Sequence, residues 1–142
     1  MYGSAVPQQR AKTFSYAVSL DREWTGRSDQ SDEPLPHVEG WTPEHLLLAG
    51  LARCTLTSLR YHAKQAGVGT TGAADARGSV TKRKEDERYA FVEVEVALDV
   101  TFEPEPPDVR ELLAKAERDC FLGASLTSPP RYSWIVDGEE IT

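Results

Sequence analysis

Two cysteines, Cys54 and Cys120, are the residues whose chemistry most restricts what this sequence does. They lie 66 residues apart, which is the wrong spacing for a CxxC motif or a local zinc site. Each falls in an apolar segment with helical periodicity, so we expect both to face the core. Two thiols that meet in a buried pocket supply an attacking and a resolving sulfur, as reversible peroxide reduction or disulfide chemistry requires. Two structural thiols are the alternative interpretation.

The thiolate is the reactive form of cysteine, and a nearby positive charge favours it. Arg53 precedes Cys54, but adjacent helix positions point about 100° apart, so we expect Arg53 at the surface or at an interface. Arg22 and Arg27 lie near the end of the predicted first strand. Arg27 is the preferred candidate because it follows a glycine that lets the chain bend, although an exposed loop arginine is an equal alternative.

The segment Thr42-Pro43-Glu44 has the features of a helix start, with an N-cap threonine, a proline at the first helical position and an acid in the first turn. The apolar positions up to Gly67 predict one long central helix that is apolar on more than one face. Glu44 and Cys54 are then roughly 15 Å apart along its axis. They can meet only between two antiparallel copies of the helix, so the sequence predicts a homodimer.

The remaining patterns predict an α+β fold without internal repeats. They give a half-buried strand at 14–24, a loop at 26–40 with a short strand around Leu35, a hairpin at 74–102, a second helix at 108–123 that contains Cys120, and a last strand at 131–136. We expect a single domain, 1–142, with a flexible N-terminal arm at 1–13.

Composition excludes several classes of protein. The net charge of −7 argues against binding to nucleic acid. No apolar run is long enough to span a bilayer, and the N-terminus lacks a signal-peptide core, so we expect a cytoplasmic protein in which free or redox-active thiols are usual. The spacing of His37, His45 and His62 does not suit metal binding, and we expect neither a metal nor a cofactor.

The run from Trp41 to Cys54, Trp-Thr-Pro-Glu-His-Leu-Leu-Leu-Ala-Gly-Leu-Ala-Arg-Cys, resembles the "SPE-LLLAAL-x-C" helix of the family that contains osmotically induced protein C and the organic hydroperoxide resistance proteins. Cys120 lies where that family has its second cysteine, ahead of a last strand. The resemblance covers nearly the whole chain in element order. It implies an OsmC-like fold, with antiparallel sheets packed on a long central helix, in an intertwined homodimer with both sites at the interface.

By this resemblance, Cys54 would be the peroxidatic cysteine of an organic hydroperoxide reductase, and Cys120 would be the resolving cysteine. Glu44 and Arg27 would orient and activate the thiolate. The loop between Arg27 and Glu44 is shorter than in the hydroperoxide resistance branch, which keeps Arg22 as an alternative. The implied reductant is an external dithiol.

The aromatic residues are expected to pack in the core or at an interface, and they are Trp24, Trp41, Trp134, Phe91, Phe102 and Phe121. Trp24, Trp41 and Phe121 are also candidates for the mouth of a site that takes a lipid-like hydroperoxide. Phe121-Leu122-Gly123 follows Cys120, where the family usually has proline and polar residues. This departure favours the second hypothesis, a non-catalytic dimer of the same fold that binds a small apolar ligand or serves a structural role.

Overall fold

A computed structural model describes residues 11–142 of the chain. These residues belong to two compact units, which divide between Trp41 and Thr42. Residues 1–10, most of the predicted N-terminal arm, lie outside the described residues. That residues 1–142 form a single domain stays a prediction.

The N-terminal unit contains a two-stranded antiparallel sheet made of β1 (Val18–Leu20) and β2 (Gly26–Ser28). The Asp21 carboxylate accepts hydrogen bonds from the backbone N–H groups of Glu23 and Thr25, which forms a tight turn between the strands. The prediction of one continuous strand over 14–24 is therefore wrong in extent. The alternation of apolar residues continues into the turn, so it does not reveal that the Asp21 side chain ends the strand there.

The apolar side chains of the N-terminal unit are exposed in the single chain. The large ones are Phe14, Tyr16, Val18, Leu20, Trp24, Leu35, Val38 and Trp41. The period-two pattern predicted a half-buried strand, and this exposure contradicts that prediction for one chain alone. An isolated two-stranded sheet is marginally stable in water, so we expect another element to cover this apolar surface.

The C-terminal unit begins with the long helix α1 (Pro43–Gln65), as the sequence predicted. Thr42 is the N-cap: its side-chain oxygen accepts a hydrogen bond from the His45 N–H at 3.2 Å. The His45 ring nitrogen in turn accepts from the Thr42 N–H, which completes a capping box. Gly67, at φ 75°, lies just beyond the helix end in the left-handed conformation that glycine tolerates.

A four-stranded sheet covers one side of α1. Its order is β3-β4-β5-β6, with strands at Gly69–Lys82, Tyr89–Glu103, Arg131–Val136 and Glu139–Ile141. The hairpin and the strand after it were predicted, whereas the short last strand was not. The β4–β5 pair is parallel, because two helices, α2 (Val109–Arg118) and α3 (Phe121–Ser125), form the crossover between them.

The core lies between this sheet and the helices. The even-numbered positions of β4 are buried from Val94 onward, as the alternation predicted, whereas Ala90 and Val92 are only partly buried. The buried ones are Val94, Val96, Leu98, Val100 and Phe102. Leu51, Leu59 and Ala63 of α1 are buried in the same cluster. On β3 the inward positions are small: a Cβ on Gly72 would lie 2.5 Å from the Val100 side chain, so the helix side of this strand has no room for one.

The second helix differs from its prediction. It ends at Arg118, and Cys120 is an extended residue between α2 and α3, not a helical one. In a continuous helix the Ala116 carbonyl would accept the Cys120 N–H. It accepts the Ser58 hydroxyl at 2.9 Å instead, while Cys120 bonds Glu117. Apolar spacing continues across this break, and it cannot reveal a hydrogen bond from a distant helix.

Candidate active site

The two cysteines are brought together where α3 packs against α1. Cys54 is half-buried and Cys120 is fully buried, and both are free thiols. The Cys120 thiol lies close enough to contribute to the pKa of Cys54. Phe121, the first residue of α3, directly follows Cys120, so three of the candidate site residues share one place in the fold.

Burial is the main influence on the Cys54 thiol, and it raises the pKa of that group. The backbone N–H groups of Leu122 and Phe121 act in the opposite direction, and the Cys120 thiol raises the pKa further. The net direction is upward, because a thiolate loses hydration when it is buried. Cys54 therefore needs an additional positive charge to be largely ionised at neutral pH.

A small residue allows the close approach of the two helices. A Cβ on Gly50 of α1 would lie 3.2 Å from a methyl group of Leu122. Gly50 lies one turn before Cys54, so the absence of a side chain there leaves room for Leu122 beside the thiol. The segment Phe121-Leu122-Gly123, which departs from the family pattern, is thus the segment that packs against α1.

A row of three polar side chains on α1 holds the junction between α2 and α3. Thr55 contacts the Cys120 sulfur at 3.5 Å, and Ser58 donates to the Ala116 carbonyl at 2.9 Å. His62 contacts the Asp119 carboxylate at 2.7 Å. We call this set of contacts the polar seam. It fixes Cys120 and two residues that precede it, Ala116 and Asp119, against the helix that carries Cys54.

The sequence interpretation missed the polar seam. Its members lie three and four residues apart, which places them on one face of a helix. Polar residues in that pattern within an otherwise apolar helix were the available signal, although it did not identify their partners. His62 was considered only as a metal ligand.

The Asp119 carboxylate forms hydrogen bonds with two basic side chains. Arg118 binds both of its carboxylate oxygens at 3.0 Å, and His62 binds one of them. The hydrogen bond from Arg118 is the largest influence and, with that from His62, it lowers the pKa of Asp119 to about 2. The carboxylate thus stays ionised over the whole neutral range.

Glu44 lies in the first turn of α1 and is exposed. It is ten residues from Cys54 on the same helix, and the structure does not bring the two together within one chain. At about 1.5 Å per residue their separation along the axis is roughly 15 Å, as the sequence argument required.

The other predicted site residues belong to the N-terminal unit. Arg27 lies in β2 opposite Ser19, and Arg22 lies in the turn before it. Trp24 is exposed, has a left-handed φ of 66°, and makes an edge-on contact with the His37 ring at 4.9 Å. Trp41 is the exposed last residue of this unit.

Within residues 11–142, no group of three or more His, Cys, Asp or Glu side chains has an arrangement that could hold a metal ion. None of the helices in this range is long and apolar enough to cross a membrane.

The family model described as OsmC-like protein matches residues 36–134, and the chain therefore belongs to this family. No curated protein matches the sequence.

Solved structures with the same fold include members named for different roles. An OsmC-like protein of unknown function from Vibrio cholerae has a TM-score of 0.67 at 14% identity, covering 88% of this chain and 100% of that one. The organic hydroperoxide resistance protein OhrB of Bacillus subtilis has a TM-score of 0.55 at 20% identity, covering 87% and 98%. An OsmC-like protein from Mycoplasma pneumoniae has a TM-score of 0.61 at 17% identity, covering 87% and 98%. These likenesses confirm the OsmC-like α+β fold that the sequence predicted.

The low pKa of Asp119 predicts how stability depends on pH. Because the folded-state pKa is depressed from 3.8 to about 2, the carboxylate stabilises the protein above pH 3.8, and this contribution is lost as pH falls toward 2. Asp119→Asn should lower the free energy of unfolding at neutral pH and flatten its fall across that window. Urea unfolding at a series of pH values measures both effects.

Asp75→Asn, at an exposed strand position, is the matched control and should leave the pH profile as in the wild type. Parallel profiles for Asp119→Asn and the wild type would show that the contact between His62 and Asp119 does not stabilise the junction.

Proposed function

We propose that this protein is a thiol-dependent peroxidase that reduces organic hydroperoxides, with Cys54 as the attacking and Cys120 as the resolving cysteine. The observation that carries the proposal is the pairing of a half-buried thiol with a fully buried one at the α1–α3 contact. The more accessible sulfur suits attack on a substrate, and the buried sulfur suits capture of the oxidised product.

The reaction needs two steps in the protein and one outside partner. The Cys54 thiolate attacks the terminal peroxide oxygen, the O–O bond breaks, and an alcohol leaves after it takes up a proton. Cys54 is then a sulfenic acid. The Cys120 sulfur attacks the Cys54 sulfur, the S–O bond breaks, and water leaves. An external dithiol reduces the resulting disulfide and is itself oxidised.

Activation of Cys54 is assigned to Arg27, with Glu44 orienting the arginine. The raised pKa of Cys54 supports the need for such a cation. Since Glu44 and Cys54 are far apart on one straight helix, the proposal requires a homodimer in which the Glu44 of one chain serves the Cys54 of the other. A reducing cytoplasm is the proposed place of reaction, because free or redox-active thiols are usual there.

An apolar hydroperoxide is the proposed substrate class. Trp24, Trp41 and Phe121 are all large and exposed in the single chain. Exposed aromatic groups of this size favour a ligand with an apolar body. Solved structures of this fold include proteins named for resistance to organic hydroperoxides, which supports the same substrate class.

A second candidate function is a non-catalytic dimer that binds a small apolar ligand. The close packing of Leu122 against Gly50, together with the burial that raises the pKa of Cys54, favours it, since both are features of a structural thiol. Turnover separates the two functions, because only a peroxidase consumes the ligand.

Replacement of each cysteine tests the proposed function. Cys54→Ser should abolish the consumption of cumene hydroperoxide with dithiothreitol as reductant, because the remaining thiol, Cys120, is fully buried. Cys120→Ser should retain the first oxidation of Cys54 and accumulate a sulfenic acid that dimedone labels. Consumption unchanged in Cys54→Ser, or none in the wild type, would contradict the peroxidase and leave ligand binding as the better account.

The assignment of the cation has its own test. Arg27→Ala should raise the pKa of Cys54, by about one unit or more, because the thiolate loses its counter-charge and keeps its apolar surroundings. The measurement is the rate of Cys54 alkylation by iodoacetamide as a function of pH. Arg22→Ala is the matched control, and a shift in this variant alone would transfer the role to Arg22.

The dimer is tested by light scattering. The exposed apolar residues of β1 and the exposed leucine at the start of α1, Leu46, predict a stable dimer of the 15.7 kDa chain at micromolar concentration. A monomer that still reduces peroxide would contradict the shared site.

A further inference from the structure

The Tyr132 hydroxyl lies in the interior beside Cys120. It is buried, and it forms no hydrogen bond with any residue of the described part of the chain. A Cβ built on Gly123 would lie 2.6 Å from this hydroxyl and 3.5 Å from the Cys120 sulfur. The two groups therefore border the same small space, and a glycine at 123 keeps that space open.

Thr55 shows which hydrogen-bonding role remains for Tyr132. The Thr55 hydroxyl donates its only hydrogen to the Leu51 carbonyl at 3.0 Å. Its contact with Cys120, at 3.5 Å, must then be one in which the Cys120 thiol donates and Thr55 accepts. Thr55 thus stabilises the neutral thiol, and a hydrogen-bond donor for the thiolate has to come from another group.

Tyr132 is able to act as that donor at neutral pH. Burial raises its pKa to about 12; the neighbouring Cys120 thiol adds to the shift, and the nearby Thr55 hydroxyl acts in the opposite direction. The phenol keeps its proton whenever Cys120 ionises under ordinary conditions. The titratable groups near Cys120 come from three elements: Cys54 of α1, Glu117 of α2 and Tyr132 of β5, with Asp119 and its partner His62 at the preceding position.

We propose that Tyr132 is a further catalytic residue, whose buried hydroxyl donates a hydrogen bond to the Cys120 sulfur as that sulfur becomes a thiolate. The proposal rests on the proposed function and adds a residue that the sequence interpretation considered only as part of a strand. Such a bond favours the charged form of the sulfur and lowers its pKa.

The hydrogen bond acts in both directions of the redox cycle. When Cys120 attacks the Cys54 sulfenic acid, its sulfur forms the S–S bond and its proton leaves with the oxygen in water. When the external dithiol attacks the disulfide, Cys54 is the more accessible sulfur, and Cys120 leaves as a thiolate with the bonding electron pair. Both steps are faster when the Cys120 thiolate is stabilised.

The first test is a titration that requires no peroxide and no reductant. In a Cys54→Ser protein labelled with [β-13C]cysteine, Cys120 is the only cysteine, and the shift of its 13Cβ resonance against pH gives its pKa. Adding Tyr132→Phe should raise that pKa by about one unit, which leaves about tenfold less thiolate at any pH below it. Tyr89→Phe, at an exposed strand position, is the matched control and should leave the pKa unchanged.

Tyr132→Phe removes an oxygen that has no hydrogen bond in the structure, so we expect it to fold. The unmutated ring gives an independent measurement: in the Cys54→Ser protein, the 13Cζ resonance of Tyr132 should shift at the pH at which Cys120 ionises. A Cys120 pKa that is equal or lower in Tyr132→Phe, or a Tyr132 resonance that ignores that ionisation, would overturn the proposal.

These titrations separate the two claims. If Cys54 of the wild type fails to react with hydroperoxide, the proposed function fails whatever the titration shows. If Cys54 reacts and the titration shows no effect of Tyr132, only the role of Tyr132 fails. When both hold, single-turnover disulfide formation should be about threefold slower in Tyr132→Phe, because the greater nucleophilicity of a more basic thiolate offsets part of the tenfold loss of thiolate. The oxidation of Cys54 should be unchanged.

Discussion

The polar seam between α1 and the α2–α3 junction is the constraint on which the site depends. The Ala116 carbonyl accepts the Ser58 hydroxyl and not the Cys120 N–H that a continuous helix would bring to it, and the chain leaves the helix at that point. Asp119 is held by His62, and the Cys120 sulfur is held by Thr55. Buried polar groups cost free energy unless they are paired, so these contacts favour one arrangement of the junction over others with equal apolar burial.

This arrangement gives the two sulfurs different surroundings. Cys54 lies near two backbone N–H groups of α3, which favour its thiolate, although burial outweighs them. Cys120 is fully buried, and its thiol donates to Thr55. In our proposals, Arg27 supplies a positive charge to the Cys54 thiolate, and Tyr132 donates a hydrogen bond to the Cys120 thiolate. Both residues lie outside the long helix.

Much of the fold could be predicted from the sequence because its signals are local. The Thr42-Pro43 start of α1 is a local capping signal, and the alternation along β4 is a repeat within one strand. The break before Cys120 and the turn at Asp21 could not be predicted in the same way, because each depends on a side-chain hydrogen bond that periodicity does not encode. The spacing of the two cysteines suggested a pair, whereas the environment of Cys120 depends on Thr55 and Tyr132, which sequence patterns do not connect to it.

The central claim is that Cys54 and Cys120 form a single redox pair, and peptide mapping of the oxidised protein tests it most directly. After treatment with a stoichiometric amount of cumene hydroperoxide, mass spectrometry should find both thiols lost and the peptides that contain Cys54 and Cys120 joined by a disulfide. Cys54 oxidised to a sulfinic acid while Cys120 stays a free thiol, or both thiols unchanged, would contradict the account.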